Sequence, residues 1–179
     1  MIMQFSHRPA AFVDRDGTLI EDVHYIKNPA DVVVPESVIS GLQLLRQANF
    51  LLIMISNQSG LSRGYFTQDE LASVHARMSL ILEENFIELD GFYYCAHLPG
   101  SCSCRKPETG MLEEAYKDFD IDLSHSCMIG DNDCDVQMAK NFGIAGYLLE
   151  SKRQTDHSLA TRVCKDFLEA AELAVARLN

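Results

Sequence analysis

Two aspartates separated by one residue follow an apolar run near the beginning of this sequence. The run ends at Asp14, and Asp16 comes two residues later. An acidic turn at a strand end is common, but three more polar motifs follow, at 55–60, 105–107 and 130–135. Together the four motifs provide two carboxylates, a hydroxyl, a cation and a second acidic cluster. Metal-assisted phosphoryl transfer requires this set of groups.

The acidic residues indicate a transfer in two steps. Asp14, at the strand end, is the expected nucleophile and would form an aspartyl-phosphate. Asp16 would protonate the leaving oxygen and then accept a proton from the attacking water. Because a carboxylate and a phosphate repel each other, a cation is expected between them, and Mg²⁺ with oxygen ligands suits this position. Its predicted ligands are the side chains of Asp14 and Asp131 and the main-chain carbonyl of Asp16.

Polar groups after the second strand and in the third motif are predicted to contact the phosphoryl group. The Ser56 hydroxyl and the Asn57 amide can donate hydrogen bonds to its oxygens, and Lys106 can neutralise their charge. Taken singly, Ser56 could be a strand-end cap, Lys106 a solvated charge and Asp131 a helix N-cap, but together they favour a site. The residues predicted to line the pocket or to hold a second anionic group are His24, Tyr25 and Arg63.

A second cluster of potential ligands lies within ten residues. It contains Cys95, His97, Cys102 and Cys104, four ligands of the kind that bind Zn²⁺ in tetrahedral Cys₃His sites. With all four positions filled by protein there is no position for water, so the predicted zinc is structural. The alternative, reduced thiols beside a surface histidine, explains the clustering less well. Because Cys104 directly precedes Arg105, the metal would also position the cations that meet the substrate.

Apolar runs alternate with amphipathic stretches, which predicts β-α-β units and a parallel sheet. Strands are predicted at 10–13, 50–55, 91–95, 126–129 and 145–149. Helices are predicted at 36–48, from Thr67 to about Glu84 behind a capping box, at 111–119, at 133–141 with Gly143 as C-cap, and from about 165 to 178. The polar motifs follow the carboxyl ends of successive strands, where open α/β sheets bind ligands.

Length and composition limit the class of protein. The 179 residues suit one domain over 1–179, with a core at about 10–150 and a C-terminal helix at about 165–178. A formal charge of −11 disfavours nucleic acid, so a small phosphorylated metabolite is the expected partner. No apolar run approaches the ~20 residues that cross a bilayer, and no signal peptide is evident, so a cytoplasmic protein without membrane contact is expected. No strongly apolar outer face is evident, and a monomer is expected.

On these residues the chain resembles the haloacid dehalogenase superfamily of phosphatases. The matching segments are FVDRDGTL at 12–19, SNQSG at 56–60, CAHLPGSCSCRKP at 95–107 and GDNDCD at 130–135. Within the superfamily they are similar to the group of heptose 1,7-bisphosphate 7-phosphatases and histidinol-phosphatases. The resemblance implies a doubly wound parallel α/β sheet with a zinc-binding loop and without a large cap domain.

The resemblance also implies roles for individual residues. Asp14 corresponds to the nucleophile, Asp16 to the acid and base, and Asp131 to a magnesium ligand. Phosphoryl stabilisation is implied for Ser56 and Lys106. Contacts with the substrate are implied for Arg105 and, within the matching motifs, for Gln58, Ser59 and Asn132. The implied zinc ligands are Cys95, His97, Cys102 and Cys104.

Two candidate substrates would undergo the same phosphate hydrolysis, and the motifs do not choose between them. The segments 57–67, 90–95 and 106–111 look like the heptose branch, which would make the protein part of lipopolysaccharide-type heptose synthesis in a bacterium. The short zinc loop looks more like the histidinol branch. An acidic pocket facing this loop would favour histidinol phosphate, whereas Arg63 and Arg105 converging there would favour the bisphosphate. A phosphatase fold that only binds a phosphorylated ligand is a third possibility, against which the intact catalytic set argues.

Overall fold

One parallel sheet organises the computed structural model, which describes residues 7–151 and 155–178. Its strands are β1 (Ala10–Val13), β2 (Leu51–Asn57), β3 (Gly91–Cys95), β4 (Cys127–Gly130), β5 (Ala145–Leu149) and β6 (Arg162–Cys164). They lie in the order β3-β2-β1-β4-β5-β6, and every neighbouring pair is parallel. The chain thus builds outward from the centre in both directions, which confirms the predicted doubly wound fold. Within the described residues no connection carries a second domain.

Helices pack on the two faces of the sheet. They are α1 (Glu36–Gln47), α2 (Gln68–Glu83), α3 (Gly110–Asp118), α4 (Asp133–Phe142) and α5 (Phe167–Ala176), with short 3₁₀ helices at Pro29–Asp31 and His157–Leu159. α1, α2 and α5 cover the face of β1 that carries Ala11 and Val13, and α3 and α4 cover the face that carries Ala10 and Phe12. Each face of the sheet therefore has its own apolar core. None of the helices in these residues has the length and apolar character needed to cross a membrane.

The central strands are buried on both faces. Every residue of β1 and β4 is buried, and the sequences AAFV and CMIG do not alternate with polar residues, because helices lie on either side. β3 lies at one edge of the sheet and instead exposes Phe92 and Tyr94. The short strands at the centre therefore hold the residues that follow them in fixed positions.

Local signals set the helix ends. The Thr67 side chain accepts the amide of Glu70, whose carboxylate accepts the amide of Thr67, so the predicted capping box is present. Gly143 ends α4 in the left-handed conformation with φ 81°, as predicted. The last helix begins at Phe167 rather than near residue 165, because the side chain of Asp166 caps its first turn.

The sequence pattern did not predict β6, and β2 is longer than predicted. β6 has three residues, too few for a periodic pattern to be recognised, and it exists because it pairs with β5. β2 extends to Asn57, two residues beyond the predicted end, because it continues to pair with Tyr94 and Cys95 of β3. The extension keeps Ser56 and Asn57 within the sheet and so fixes the directions of their side chains.

Candidate active site

A cavity of about 240 Å³ opens where β1, β2 and β4 end. This is the carboxyl edge of the sheet, where the motifs were expected to meet. The predicted site residues that line the cavity are Asp14, Asp16, His24, Tyr25, Asn57, Gln58, Ser59, Arg105, Lys106, Asp131 and Asn132. Four segments that are far apart in the sequence thus contribute to one site.

Two residues that were predicted to contact the substrate do not line the cavity. Ser56 is 1% exposed, and its hydroxyl accepts a 2.8 Å hydrogen bond from the side-chain amide of Gln58, so it lies behind the cavity wall. Arg63 is exposed, because its backbone amide donates to the carbonyl of Ser59 in a turn that leaves the side chain at the surface. Of the two arginines expected to converge on the pocket, the structure brings only Arg105 to it.

Lys106 connects the carboxylates at the bottom of the cavity. Its Nζ lies 2.6 Å from Oδ1 of Asp14 and 2.6 Å from Oδ1 of Asp135, and it donates to the carbonyl of Ile55 at 3.1 Å. The side chains of Lys106 and Asp135 are 2% and 0% exposed. The ammonium group is thus fixed between two carboxylates in a place that water scarcely reaches.

Burial and mutual charge shift the pKa values of these three groups. Burial raises the pKa of Asp14 to about 7, although Lys106 works against the rise. Burial also raises the pKa of Asp135, again opposed by Lys106. Burial disfavours the charge of Lys106, but the carboxylates of Asp135 and Asp14 outweigh it and raise the pKa of Lys106 well above its usual range. The cluster holds more negative than positive charge and therefore favours a further cation.

The donor set beside Lys106 fits Mg²⁺. Asp14, Asp131 and Asp135 are buried, and each offers a carboxylate oxygen within 4.8 Å of the others. Magnesium prefers hard oxygen ligands of this kind. Glycines permit the close approach: a Cβ at Gly17, where φ is 84°, would collide with the carboxylate of Asp131, and one at Gly130 would collide with Asp135.

Five residues that line the cavity were not among the predicted site residues: Arg15, Asp22, Gly60, Cys134 and Asp135. Asp135 lies in the acidic motif 130–135, and this position was the available signal. Its Oδ2 accepts the amide of Asn132 in a capping box, while its Oδ1 meets Lys106. Two side-chain carboxylates were predicted to bind the metal, whereas the structure brings three together.

Asn57 holds the main chain of Lys106. Its Nδ2 donates to the carbonyl of Lys106 at 3.2 Å, and its Oδ1 accepts the amide of the same residue at 3.0 Å. This pair of hydrogen bonds ties the end of β2 to the segment that carries Lys106. The predicted contact of Asn57 with a substrate therefore has to come from its main chain, because its side chain is engaged.

His24 and Tyr25 form part of the cavity rim. Both have left-handed backbone conformations, with φ 59° and 55°, which are uncommon for residues other than glycine. The Asp22 side chain accepts the amide of His24 at 2.9 Å, and the rings of Tyr25 and Tyr65 meet edge to face with centroids 4.6 Å apart. Such strained backbone is often found where a ligand binds.

The predicted zinc ligands come together at the end of β3. The donor atoms of Cys95, His97, Cys102 and Cys104 all lie within 4.8 Å of one another. The Sγ of Cys104 is 3.2 Å from that of Cys95, 3.4 Å from that of Cys102 and 3.3 Å from Nδ1 of His97. Sulfur atoms about 2.3 Å from a tetrahedral zinc are ~3.7 Å apart, so this Cys₃His cluster fits Zn²⁺. Arg105 donates to the carbonyl of His97 at 3.3 Å, which links the cluster to the cavity.

Sequence comparisons place the chain among known hydrolases. A family model described as HAD-hydrolase-like, where HAD stands for haloacid dehalogenase, matches residues 103–170. A probable D-glycero-D-manno-heptose-1,7-bisphosphate 7-phosphatase of Thermoplasma volcanium is 39% identical over 140 residues. The alignment covers 77% of this chain and 96% of that relative.

Solved structures agree with the sequence relatives. A D,D-heptose 1,7-bisphosphate phosphatase from B. bronchiseptica, complexed with magnesium and phosphate, has a TM-score of 0.83 and 29% identity, covering 94% of this chain and 98% of its own. A putative HAD-like phosphatase from Mesorhizobium loti has a TM-score of 0.85 and 32% identity, covering 97% and 88%. The resemblance drawn from the four motifs is confirmed. This chain belongs to the haloacid dehalogenase-like phosphatases.

Proposed function

We propose that this protein removes the 7-phosphate of D-glycero-D-manno-heptose 1,7-bisphosphate in a Mg²⁺-dependent hydrolysis. The reaction type is supported by the buried contact of Lys106 with Asp14 beneath an open cavity. Asp131 and Asp135 lie beside this contact. The names of the relatives from Thermoplasma volcanium and B. bronchiseptica support the substrate. The protein would act as one domain on a small phosphorylated sugar, in heptose synthesis for lipopolysaccharide.

Asp14 is the proposed nucleophile. Its carboxylate attacks the phosphorus of the 7-phosphate, so that a bond from oxygen to phosphorus forms while the bond to the sugar oxygen breaks, giving an aspartyl-phosphate. Lys106, 2.6 Å away, holds the carboxylate in place and offsets the charge of the phosphoryl oxygens. Because burial raises the pKa of Asp14 to about 7, cations in the site are needed to keep the nucleophile ionised.

Asp16 is the proposed general acid and base. It gives a proton to the sugar oxygen as that oxygen leaves. It then accepts a proton from the water that attacks the aspartyl-phosphate, which releases inorganic phosphate and restores Asp14. Arg15 and Gln58 donate hydrogen bonds to the carboxylate of Asp16 and hold it at the cavity wall. Ser56 lies behind Gln58 and accepts a hydrogen bond from its side-chain amide, so it is proposed to act on the phosphoryl group indirectly, by holding Gln58 in place.

Two metal ions fit the donor sets of the protein. The carboxylates of Asp14, Asp131 and Asp135 and the main-chain carbonyl of Asp16 would hold Mg²⁺, which when bound neutralises the charge of the meeting anions. The Cys₃His cluster would hold a structural Zn²⁺. Its contribution would be to order the loop that leads to Arg105, since that loop has little core of its own.

Arg105 is proposed to bind the second phosphate of the substrate. It lines the cavity directly beside Lys106, and its hydrogen bond to the carbonyl of His97 uses only one of its nitrogens. A heptose bisphosphate brings a second anion to this cation, whereas histidinol phosphate brings a cation that Arg105 would repel. The rings of His24 and Tyr25 offer surface at the rim for the carbon skeleton of a sugar.

The test measures phosphate release in Mg²⁺ from heptose 1,7-bisphosphate and from histidinol phosphate side by side. Asp14→Asn keeps the size of the side chain but removes the nucleophile, and it serves as the blank. Asp69→Asn, at an exposed position on α2, is the matched control and should retain the wild-type rate.

A preference of more than about 100-fold in kcat/KM for the bisphosphate would support the proposed substrate. A preference for histidinol phosphate would overturn it and would make the short zinc loop the determinant of specificity. If neither substrate is cleaved above the Asp14→Asn blank, the heptose assignment fails, and other phosphomonoesters become the next substrates to assay.

A further inference from the structure

Arg15 has the largest fully buried side chain among the described residues, at 1% exposed. It stands between the two catalytic aspartates in the sequence and contacts one of them. Its Nε donates to Oδ1 of Asp16 at 3.1 Å, and one terminal nitrogen donates to Oδ1 and Oδ2 at 2.8 and 2.9 Å. Contact with both oxygens fixes the rotation of the carboxylate as well as its position.

The other hydrogen bonds of Arg15 hold the guanidinium itself. One terminal nitrogen also donates to Oε1 of Gln58 at 3.1 Å, and the other lies 3.1 Å from Nε2 of His75 on α2. Gln58 donates in turn to Oδ2 of Asp16 and to Oγ of Ser56, both at 2.8 Å. The guanidinium is therefore anchored to the loop after β1, to the end of β2 and to α2.

His75 accepts a hydrogen bond from Arg15 as a neutral imidazole. Burial, and then the charge of Arg15, lower the pKa of His75 to about 4, so the ring is neutral at pH 7. Because a guanidinium only donates, the Nε2 that faces Arg15 is the ring nitrogen without a proton. The half-buried ring lies near Phe92 and Tyr94 of β3, with centroids 6.1 and 6.0 Å away. A carboxylate at this position would compete with Asp16 for the guanidinium, whereas a neutral acceptor satisfies Arg15 without drawing it away.

We propose that His75 is a positioning residue for proton transfer by Asp16 and that it acts through Arg15. The inference rests on the proposed function, in which Asp16 is the general acid. As the bond between phosphorus and the sugar oxygen breaks, its electron pair goes to that oxygen, which takes the proton of Asp16. The carboxylate that remains faces a guanidinium already in place, and water later returns a proton to it. His75 thus keeps Arg15 where the charge on Asp16 develops.

The test compares two leaving groups, because a role through Asp16 matters only where the leaving oxygen needs a proton. A sugar alkoxide needs one, whereas p-nitrophenolate leaves without it. His75→Leu removes the acceptor for Arg15, and His75→Gln keeps an acceptor. His125→Leu is the matched control, since His125 is also half-buried and paired with a charged group, Asp122, outside the cavity. The quantity measured is kcat/KM, which reports the steps up to departure of the leaving group.

We expect His75→Leu to lower kcat/KM about 10-fold on heptose 1,7-bisphosphate and less than about 2-fold on p-nitrophenyl phosphate. His75→Gln should recover most of the loss, and His125→Leu should match the wild type on both substrates. Arg15→Lys keeps the positive charge but loses the paired N–H groups that contact both oxygens of Asp16, and it should show the same selective loss of kcat/KM. It provides the test if His75→Leu does not fold.

Equal losses on both substrates would overturn the proposal and make His75 a packing residue. Wild-type activity of His75→Leu on both substrates would overturn it as well. If the wild-type protein does not cleave the heptose bisphosphate, the same ratio is measured with an alkyl phosphate that it does cleave. Failure of the substrate assignment is thereby kept distinct from failure of this inference.

Discussion

The Nζ of Lys106 lies 2.6 Å from Oδ1 of Asp14, and the two side chains are 2% and 10% exposed. These residues are 92 positions apart in the sequence. A buried cation between carboxylates offsets the repulsion between them, which would otherwise destabilise the fold. The contact therefore links the stability of the cavity to the position of the proposed nucleophile.

Replacing Lys106 with methionine should destabilise the protein and abolish turnover. The change leaves the carboxylates of Asp14 and Asp135 buried without their cation, a situation that costs about 3–5 kcal/mol. Thermal unfolding in a chelating buffer measures the loss, with Lys117→Met on the exposed side of α3 as control. A Lys106→Met protein as stable as the control would show that the lysine contributes nothing to the fold.

Asp135→Asn should weaken magnesium binding. The substitution keeps an oxygen that can accept the amide of Asn132 but removes one of the three clustered charges. We expect at least a ~10-fold rise in the dissociation constant for Mg²⁺, measured by calorimetry. Asp133→Asn, in the same motif but outside the cavity lining, is the matched control. Unchanged affinity in Asp135→Asn would restrict the side-chain ligands to Asp14 and Asp131.

Arg105→Gln should raise KM for the bisphosphate about 10-fold, which corresponds to ~1.4 kcal/mol and so to roughly one charge-assisted hydrogen bond. KM for p-nitrophenyl phosphate, which has no second phosphate, should change little. Arg77→Gln, at an exposed position of α2, controls for the loss of positive charge. A parallel rise in KM for both substrates would contradict a role for Arg105 in binding the second phosphate.

Cys104→Ser should remove the zinc. The Sγ of Cys104 lies within 3.4 Å of donor atoms from all three other members of the Cys₃His cluster, so its loss opens the tetrahedron. Elemental analysis should find about one zinc per wild-type chain and far less in the variant. Cys134→Ser, which changes a cysteine outside the cluster, should keep the metal. Wild-type protein purified without zinc would refute the assignment.

Acid should destabilise the wild-type protein more than His75→Gln. The folded protein keeps the imidazole neutral down to a pKa of about 4, whereas the unfolded chain takes up a proton near its ordinary value of 6.5. Between these values the unfolded state binds more protons, so stability falls as the pH is lowered through this window. Between pH 7 and pH 4 the melting temperature of the wild type should therefore fall more than that of His75→Gln. A constant difference would contradict a buried neutral His75.

Much of the fold follows from local sequence. The strands at 10–13 and 145–149 have the predicted bounds, because continuous apolar runs of this length suit strands that are buried between helices. The edge strand at 91–95 also has the predicted bounds, although two of its aromatic side chains are exposed. The capping box at Thr67 and the turn at Gly143 likewise depend on neighbouring residues alone. The three-residue strand β6 exists only through pairing with β5, so a local pattern does not reveal it.

The site, too, depends partly on the local sequence and partly on the tertiary structure. The residue types and order of the four motifs, and the Cys₃His spacing, are properties of the sequence, and they were sufficient to infer phosphoryl transfer and a zinc cluster. Only tertiary structure decided that Asp135 joins the carboxylates, that Arg63 stays at the surface and that His75 reaches Arg15 across 60 positions. The physical reason is that a side chain's partners depend on which segments pack together, and the sequence around each residue does not specify that distant contact.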